Sequence, residues 1–405
     1  MLALTSIYTT ILLAAAVALG PLAIDLYLPA LPMMGQDLSA STSQVQLTLS
    51  VYMAGFAMAQ LLCGPLADRF GRKPIMIGGF LLFALASIGC AMATNIETLI
   101  LFRFLQALGG SAGPVLGRAA VRDIYTPREA ARIMAILASI MALAPAIAPT
   151  LGGFMAVSLG WESLFIALGC YSLLMAAVVA IGIPETMNPA HRQSMKLRSL
   201  LRNYRTVITN VPFLGYTLTN SLTFAGLFAF LSGSSFVLID FLGVKPEHFG
   251  LYFACGVAGY IAGNLAAIRL GHTLSSDEIL VRGLVVTMIS GLVMAGLALA
   301  GVFNVWAVMV PQIVAMVGVG MVLPQTMAGA LANFPTMAGS ASALFGCAQM
   351  VIAAIVGGLV GYLHSGSSVV MAVAIALCST AAFIGYGLLI GRQPTEEPVP
   401  AAEPA

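Results

Sequence analysis

Apolar residues in this chain gather into runs of 20 to 28 positions separated by short polar stretches. Six runs fall at residues 5–31, 43–63, 74–93, 98–118, 132–157 and 161–183. After one longer polar segment, six more follow at 211–238, 248–270, 281–301, 306–328, 339–363 and 369–390. A helix needs about 20 apolar residues to cross roughly 30 Å of hydrocarbon. The pattern therefore predicts an all-α integral membrane protein with twelve transmembrane helices in two six-helix, pseudo-symmetric halves. Those halves are residues 1–183 and 211–390, joined by a linker at 184–210 and followed by a tail at 391–405. Composition agrees, since 8% of the residues are charged and the mean hydropathy is +1.00, whereas a soluble chain of this length needs a charged surface. The first run is not read as a cleaved signal, because no Lys or Arg precedes Arg69.

Charge then orients the spans. Lys and Arg concentrate in cytoplasmic loops, and 15 of the 17 basic residues fall in the loops after spans 2, 4, 6 and 8 or at the tail, leaving Lys245 on the other side and Arg103 inside a span. Both termini are expected in the cytoplasm of a bacterial inner membrane. A net charge of +2 offers no case for a nucleic-acid partner. The linker places Leu197, Leu200, Leu201, Tyr204 and Ile208 at helical spacing, with Lys196, Arg198, Arg202 and Arg205 on the other faces. It reads either as a short helix on the inner leaflet or as a solvated positive segment that sets topology. The Pro- and Glu-rich tail is expected to be disordered.

Enzyme chemistry finds no support. The six cysteines lie in or beside apolar runs without ligand spacing, and His191, His248, His272 and His364 are isolated. No phosphate-binding loop, metal site or cofactor is expected. A faint internal repeat does stand out: "GPLADRFG" at 64–71 is echoed by "GNLAAIRLG" at 263–271, and Gly152-Gly153 by Gly357-Gly358. Repeated halves with a site between them are the common plan of secondary transporters.

The twelve spans and the stretch Gly64-x-Leu66-x-Asp68-Arg69-x-Gly71-Arg72-Lys73 resemble the major facilitator superfamily and its cytoplasmic signature. More narrowly, "IDLYLPALP", "RFLQALGGSAGPVLGRAAVRDIY" and "LAPAIAPTLGG" resemble the Bcr/CflA branch of drug:proton antiporters. That resemblance implies a monomeric, proton-coupled multidrug efflux transporter. Its partners would be small-molecule drugs, protons and the lipid bilayer. A proton-coupled importer of a small metabolite would use the same fold. A non-transporting receptor or scaffold would have no need of an acid inside span 1.

That acid is Asp25, alone among fifteen in lying well inside a predicted span, about six residues or ~9 Å before the outer end near Leu31. Arg103, six residues past Glu97, lies at similar depth. Intramembrane ionisable groups mark ion or proton pathways, so Asp25 is the candidate proton site. The same two residues would also serve as a structural pair joining spans 1 and 4; the resemblance implies proton-coupling roles for both.

In the signature stretch, Arg72 is placed to reach Asp123 after span 4. The resemblance implies that Asp68, Arg72 and Asp123 form a conformational latch that steadies the outward-open state, although a topology signal with a balancing acid would have the same sequence. In span 5, the glycine series of the superfamily's antiporter motif maps onto Ala135, Ala144, Ala148, Pro149, Gly152 and Gly153, three of them now alanine. Pro145 and Pro149 remove helical donors and small residues permit close approach; an ordinary kinked helix would read the same. Helical spacing nominates a substrate cavity. It takes Gln46, Ser50, Met53, Ala57 and Gln60 from span 2 and Gln106, Gly110 and Gly113 beside Arg103 from span 4. Asn220, Phe224 and Phe228 from span 7, and Gln312, Met316 and Gln325 from span 10, complete it. Aromatic and thioether surfaces with switchable amides suit variable amphipathic ligands, although in so apolar a chain most Met and Phe simply face lipid or neighbouring helices.

Overall fold

A computed structural model of the chain describes residues 7–187, 197–334 and 337–390. The disordered tail expected at 391–405, and Arg192 and Lys196 of the linker, lie outside the described residues. Those described are helical and form no strand.

Span 1 is α1 (Ile7–Asp25), a 3-10 turn (Leu28–Ala30) and α2 (Leu31–Asp37). It differs from the continuous run expected to end near Leu31. Pro29 lacks the N–H that would bond the carbonyl of Asp25, so α1 stops there, and Pro32 is tolerated in the first turn of α2. Span 2 is α3 (Thr42–Phe70), started by a capping box between Ser41 and Gln44. Span 3 is α4 (Arg72–Ala91) and span 4 is α5 (Ile96–Gly110) with α6 (Ala112–Ile124). Span 5 is α7 (Pro127–Leu159) and span 6 is α8 (Glu162–Gly182). The linker helix is α9 (Leu197–Ile208). In the second half, span 7 is α10 (Val211–Ser235) with a π-turn (Phe236–Phe241), span 8 is α11 (Pro246–Leu270), and span 9 is α12 (Ser276–Leu299). Spans 10, 11 and 12 are α13 (Val305–Ala332), α14 (Ala338–Tyr362) and α15 (Val369–Leu389).

Among the described residues, eleven helical stretches are long and apolar enough to cross a membrane, and α7 contributes a shorter apolar run, Leu143–Leu159. Large apolar side chains such as Leu85, Ile181, Leu299 and Leu377 point outwards, as a lipid-facing surface requires. Each half packs internally, spans 3, 4 and 6 in the first matching spans 9, 10 and 12 in the second. Two long seams join the halves, span 2 on span 11 and span 5 on span 8.

The linker helix forms where its periodicity placed it. Its end is nonetheless seated on protein: Val207 is fully buried with Phe213, Phe334 and Phe345 at the ends of spans 7, 10 and 11. The Tyr204 hydroxyl reaches the Leu61 carbonyl of span 2 at 3.4 Å. These contacts seat the end of α9 on the neighbouring spans, while Ile208 of the amphipathic face stays exposed.

Candidate functional site

The break in span 1 lengthens the chain beyond Asp25. With α2 running to Asp37, the acid lies twelve residues from the span's end rather than the six expected, directly before the broken segment. It is 4% exposed, and among the described residues no ion pair or hydrogen bond reaches its carboxylate.

Arg103 does not pair with it. The guanidinium is fully buried, and its Nη1 donates to the Ala23 carbonyl at 3.1 Å and to Gln106 Oε1. Gln106 in turn donates to Ser87 of span 3 at 2.7 Å. The guanidinium carbon lies 4.2 Å from the ring centres of both Tyr27 and Tyr52 and 5.8 Å from Phe165. Residues 23 and 27 therefore face Arg103, whereas Asp25, two residues from each, sits about 200° around the chain axis. Equal depth had suggested a pair; azimuth separates them. Arg103 Nε and Nη2 have no hydrogen-bond partner among the described residues.

Span 5 meets the same break. A Cβ on Gly152 would overlap the Leu26 carbonyl oxygen and lie 2.8 Å from its carbon, so glycine is what lets the helix seat beside Asp25. Its neighbour Gly153 faces the other half, where a Cβ would stand 3.0 Å from the Pro246 carbonyl carbon of span 8. The paired glycines thus wedge span 5 against span 1 and span 8 together. Pro149 is buried and Pro145 half-buried, and Ala144 and Ala148 are buried; the Ala135 side chain lies outside the described residues. Nearby, Ser235 of span 7 donates to the Leu28 carbonyl at 2.6 Å, closing the basic-poor end between spans 1 and 7.

At the basic-rich end, spans 2 and 3 are joined by Gly71 alone, with φ at +105°, a conformation that favours glycine. The charges expected in a loop therefore sit on helix ends. Arg72 bonds Asp68 at 2.7 Å and Asp123 at 3.2 Å. Glu185, which the sequence did not single out, accepts from the backbone N–H groups of Arg72 at 2.9 Å and Lys73 at 3.3 Å, capping span 3. Lys73 Nζ donates to the Ala180 carbonyl at the end of span 6 at 2.7 Å, and Thr186 adds a contact to Asp123 at 3.4 Å. A carboxylate at a helix N-terminus and an ammonium at a C-terminus each complement the helix dipole, so spans 3 and 6 cap one another.

The cavity candidates do not converge on one open chamber. Gln46, Ser50 and Gln60 keep their common face, but it packs on the glycines of span 11: Gly361 against Gln46, Gly357 and Gly358 against Ser50, Gly346 against Gln60. Met53 is buried on the same helix and Phe228 lies over Gly357. Gln106 belongs to the Arg103 network inside the first half. Asn220 accepts from Thr326 at 3.0 Å, whereas Gln325 is only half-buried and Phe224 is partly buried at the core's edge. Gln312 lines a small cavity with Thr223, Thr287 and Ser379, and Met316 is buried near Gly256. Several of these polar groups lack partners among the described residues: both side-chain polar atoms of Gln46, Ser50 Oγ, Gln60 Oε1, Asn220 Nδ2 and Gln312 Oε1. Buried orphans each cost about 1–3 kcal/mol.

Residues 13–358 match the Major Facilitator Superfamily. The chain is 37% identical over 347 residues to an uncharacterized MFS-type transporter, YdgK, of Bacillus subtilis, covering 85% of this chain and 86% of that one. It is 30% identical over 375 residues to a bicyclomycin resistance protein homolog of Haemophilus influenzae, covering 92% and 94%. A solved D-xylose-proton symporter shares the fold with a TM-score of 0.74 at 13% identity, over 93% of this chain and 98% of that one. With its membrane-length helices and paired six-span halves, the chain belongs to the Major Facilitator Superfamily and is a multi-pass membrane transporter, not an enzyme.

Proposed function

We propose that this protein is a proton-coupled multidrug efflux transporter that exports small lipophilic or amphipathic antimicrobials by alternating access. On this reading it works as a monomer in a bacterial inner membrane, with both termini in the cytoplasm. The observation that carries the proposal is Asp25, a buried carboxyl with no partner among the described residues, directly before the break in span 1. A lone carboxylate in apolar surroundings bears a desolvation cost that protonation removes. The acid can therefore hold a proton while the halves are closed and surrender it when the break becomes wet or a ligand contacts it. Names of relatives such as the Haemophilus bicyclomycin resistance homolog support a drug as the exchanged ligand. In this scheme Arg103 anchors span 4 to span 1 beside the acid, and the unsatisfied amides and hydroxyls of spans 2, 7 and 10 meet substrate when the seams part. The Asp68–Arg72–Asp123 cluster, with Glu185, biases which end opens.

Proteoliposomes test the direction of coupling. With an acidic lumen and neutral exterior, an antiporter drives bicyclomycin inwards as protons leave; a symporter accumulates it only under the opposite gradient. Asp25→Asn should abolish uphill movement in either orientation while retaining drug binding. Undiminished uphill transport by Asp25→Asn would remove this acid from the mechanism.

A further inference from the structure

Arg103 is a fully buried cation with no carboxylate within 4 Å among the described residues, so something else must balance its charge. Its two hydrogen-bond acceptors, the Ala23 carbonyl and Gln106, are neutral. What remains is aromatic. Tyr27, two residues past Asp25, and Tyr52 of span 2 present their ring faces at 4.2 Å each, with Phe165 of span 6 farther out at 5.8 Å. The faces of aromatic rings carry negative potential, and their attraction for a cation grows when water is excluded.

The rings are held as a set. Thr48 spends its hydroxyl proton on the Val45 carbonyl at 2.6 Å, so the Tyr27 hydroxyl donates to Thr48 at 3.3 Å. Phe165 stacks at a tilt on Tyr27, 5.8 Å between centres, and Trp161 meets Phe165 edge-on at 6.0 Å while donating to Asp37 at 3.1 Å. Tyr52 is different: its hydroxyl has no partner among the described residues, so only its ring acts.

We propose that Tyr27 and Tyr52 are positioning residues that take the place of a carboxylate as the counter-charge of Arg103, leaving Asp25 unpaired for proton exchange. The inference rests on the antiport reading for its purpose, but the cage itself is independent of substrate. It explains why a buried acid and a buried base at the same level of the fold stay apart: the guanidinium is already balanced on the 23/27 face, and Asp25 lies on the other side of the chain.

The test separates charge balance from packing. Phenylalanine and its mono-, di- and trifluorinated analogues, placed at position 52 of the full-length protein by amber suppression, keep the ring's shape while draining its negative face. Equilibrium unfolding in detergent mixed with SDS should leave Tyr52→Phe within about twofold of the native protein. Each added fluorine should then lower the folded fraction stepwise, with total loss of roughly 30-fold, equivalent to ~2 kcal/mol. In an Arg103→Met background the same series should be flat, because no cation remains. A flat series in the native background, or an equal slope with and without the Arg103→Met change, would reduce Tyr52 to a packing residue and overturn the proposal. Bicyclomycin movement in acid-loaded vesicles is read alongside. Loss of stability without any bicyclomycin transport by the native protein would sink the antiport reading and leave the cage standing.

Discussion

Gly152 offers a test of the packing around Asp25 in which even the sign of the effect is fixed by geometry. In an exposed helix interior, alanine is favoured over glycine by about 1 kcal/mol. At Gly78 of span 3 a Cβ meets nothing within 4 Å, so Gly78→Ala should stabilise by that amount, about fivefold in the unfolding equilibrium. At Gly152 the new carbon would stand 2.8 Å from the Leu26 carbonyl carbon and closer still to its oxygen. Carbon contacts settle at about 3.5–4.0 Å, so spans 1 and 5 must part by at least about 1 Å at the level of the acid, and by more to clear the oxygen. Overpacking of this kind costs about 1–3 kcal/mol. Set against the helical gain, the expected net is a loss of up to ~2 kcal/mol, or about 30-fold. Gly153→Ala, with its nearest carbon at 3.0 Å from Pro246, should fall between the two and loosen the seam with span 8. Thermal and SDS unfolding of the purified variants give the ranking, and vesicle transport shows whether moving the Leu26 carbonyl disturbs Asp25. A Gly152→Ala protein as stable as Gly78→Ala, with native transport, would mean that the close approach of spans 5 and 1 is not what holds the break.

Four further outcomes are expected. Arg72→Ala and Asp123→Ala should each shift the populations of the two open forms, read by electron-electron distance measurements across spans 4 and 10. Because the side chains are 14% and 27% exposed, their double-mutant coupling should stay at or below ~1 kcal/mol. Glu185→Gln should disturb that end more than Asp68→Asn, since Glu185 holds two backbone donors of span 3 whereas Asp68, among the described residues, holds only Arg72; equal effects would argue against a capping role. Tyr204→Phe should lower stability by about 0.5 kcal/mol, but not in a Pro65→Ala background: Pro65 leaves the Leu61 carbonyl without its helical donor, and alanine would restore that donor in place of the Tyr204 hydroxyl. His364, half-buried beside the Phe236 ring at 6.0 Å, is held below its ordinary value of 6.5 by burial. Its neutral form is the one that packs, so its contribution is full above pH 6.5 and declines as pH falls through the lowered value; His364→Phe should flatten that part of a stability–pH profile.

The spans were legible because each is a run of 20 or more apolar residues, and α9 because its residues alternate at helical spacing. Span 1 was misjudged where two prolines interrupt an apolar run that hydropathy reads as continuous; the signal was present in "LYLPALP" but weaker than the hydrophobicity around it. Arg103 and Asp25 were found by their rarity inside spans, and their similar depth suggested a pair. Which face each one uses depends on the Ala23 carbonyl and the rings of Tyr27 and Tyr52, contacts between segments 51 to 80 positions apart that no local period encodes. Glu185 lay unmarked for the same reason, since a helix cap donated from span 6 to span 3 leaves no trace in the sequence near either. The polar face of span 2 is visible in its spacing, but not what covers it, because Gly346, Gly357, Gly358 and Gly361 of span 11 acquire meaning only when set against Gln46, Ser50 and Gln60.

Internal repetition clarifies why the buried charges among the described residues, Asp25 and Arg103, lie in the first half. Asn95 caps span 4 and Asn304 caps span 10, each accepting a bond from the residue three positions on, Thr98 and Ala307. Eight residues after each cap stand Arg103 and Gln312, equivalent positions in the two halves. In the first half the guanidinium, Gln106 and Ser87 fill the interior between spans 3 and 4. In the second, Gln312 faces Thr287 of span 9 across a space of about 20 Å³, enough for one water. Thr223, Thr287 and Ser379 around it donate their protons to carbonyls of their own helices, so these hydroxyls offer the space acceptors, and the lining carries no charge. The two halves thus share a scaffold but not an electrostatic role. On the proton-coupled reading, a gradient can act directly only on spans 1 and 4. The second half must then be carried along through mechanical contacts: Ser235 on the Leu28 carbonyl, Gly153 on span 8, and the glycine face of span 11 on span 2. Of these, the Ser235 bond is closest in sequence to Asp25, three residues from the acid on the span 1 side. On that reading it is one hydrogen-bonded link between the break in span 1 and the second half.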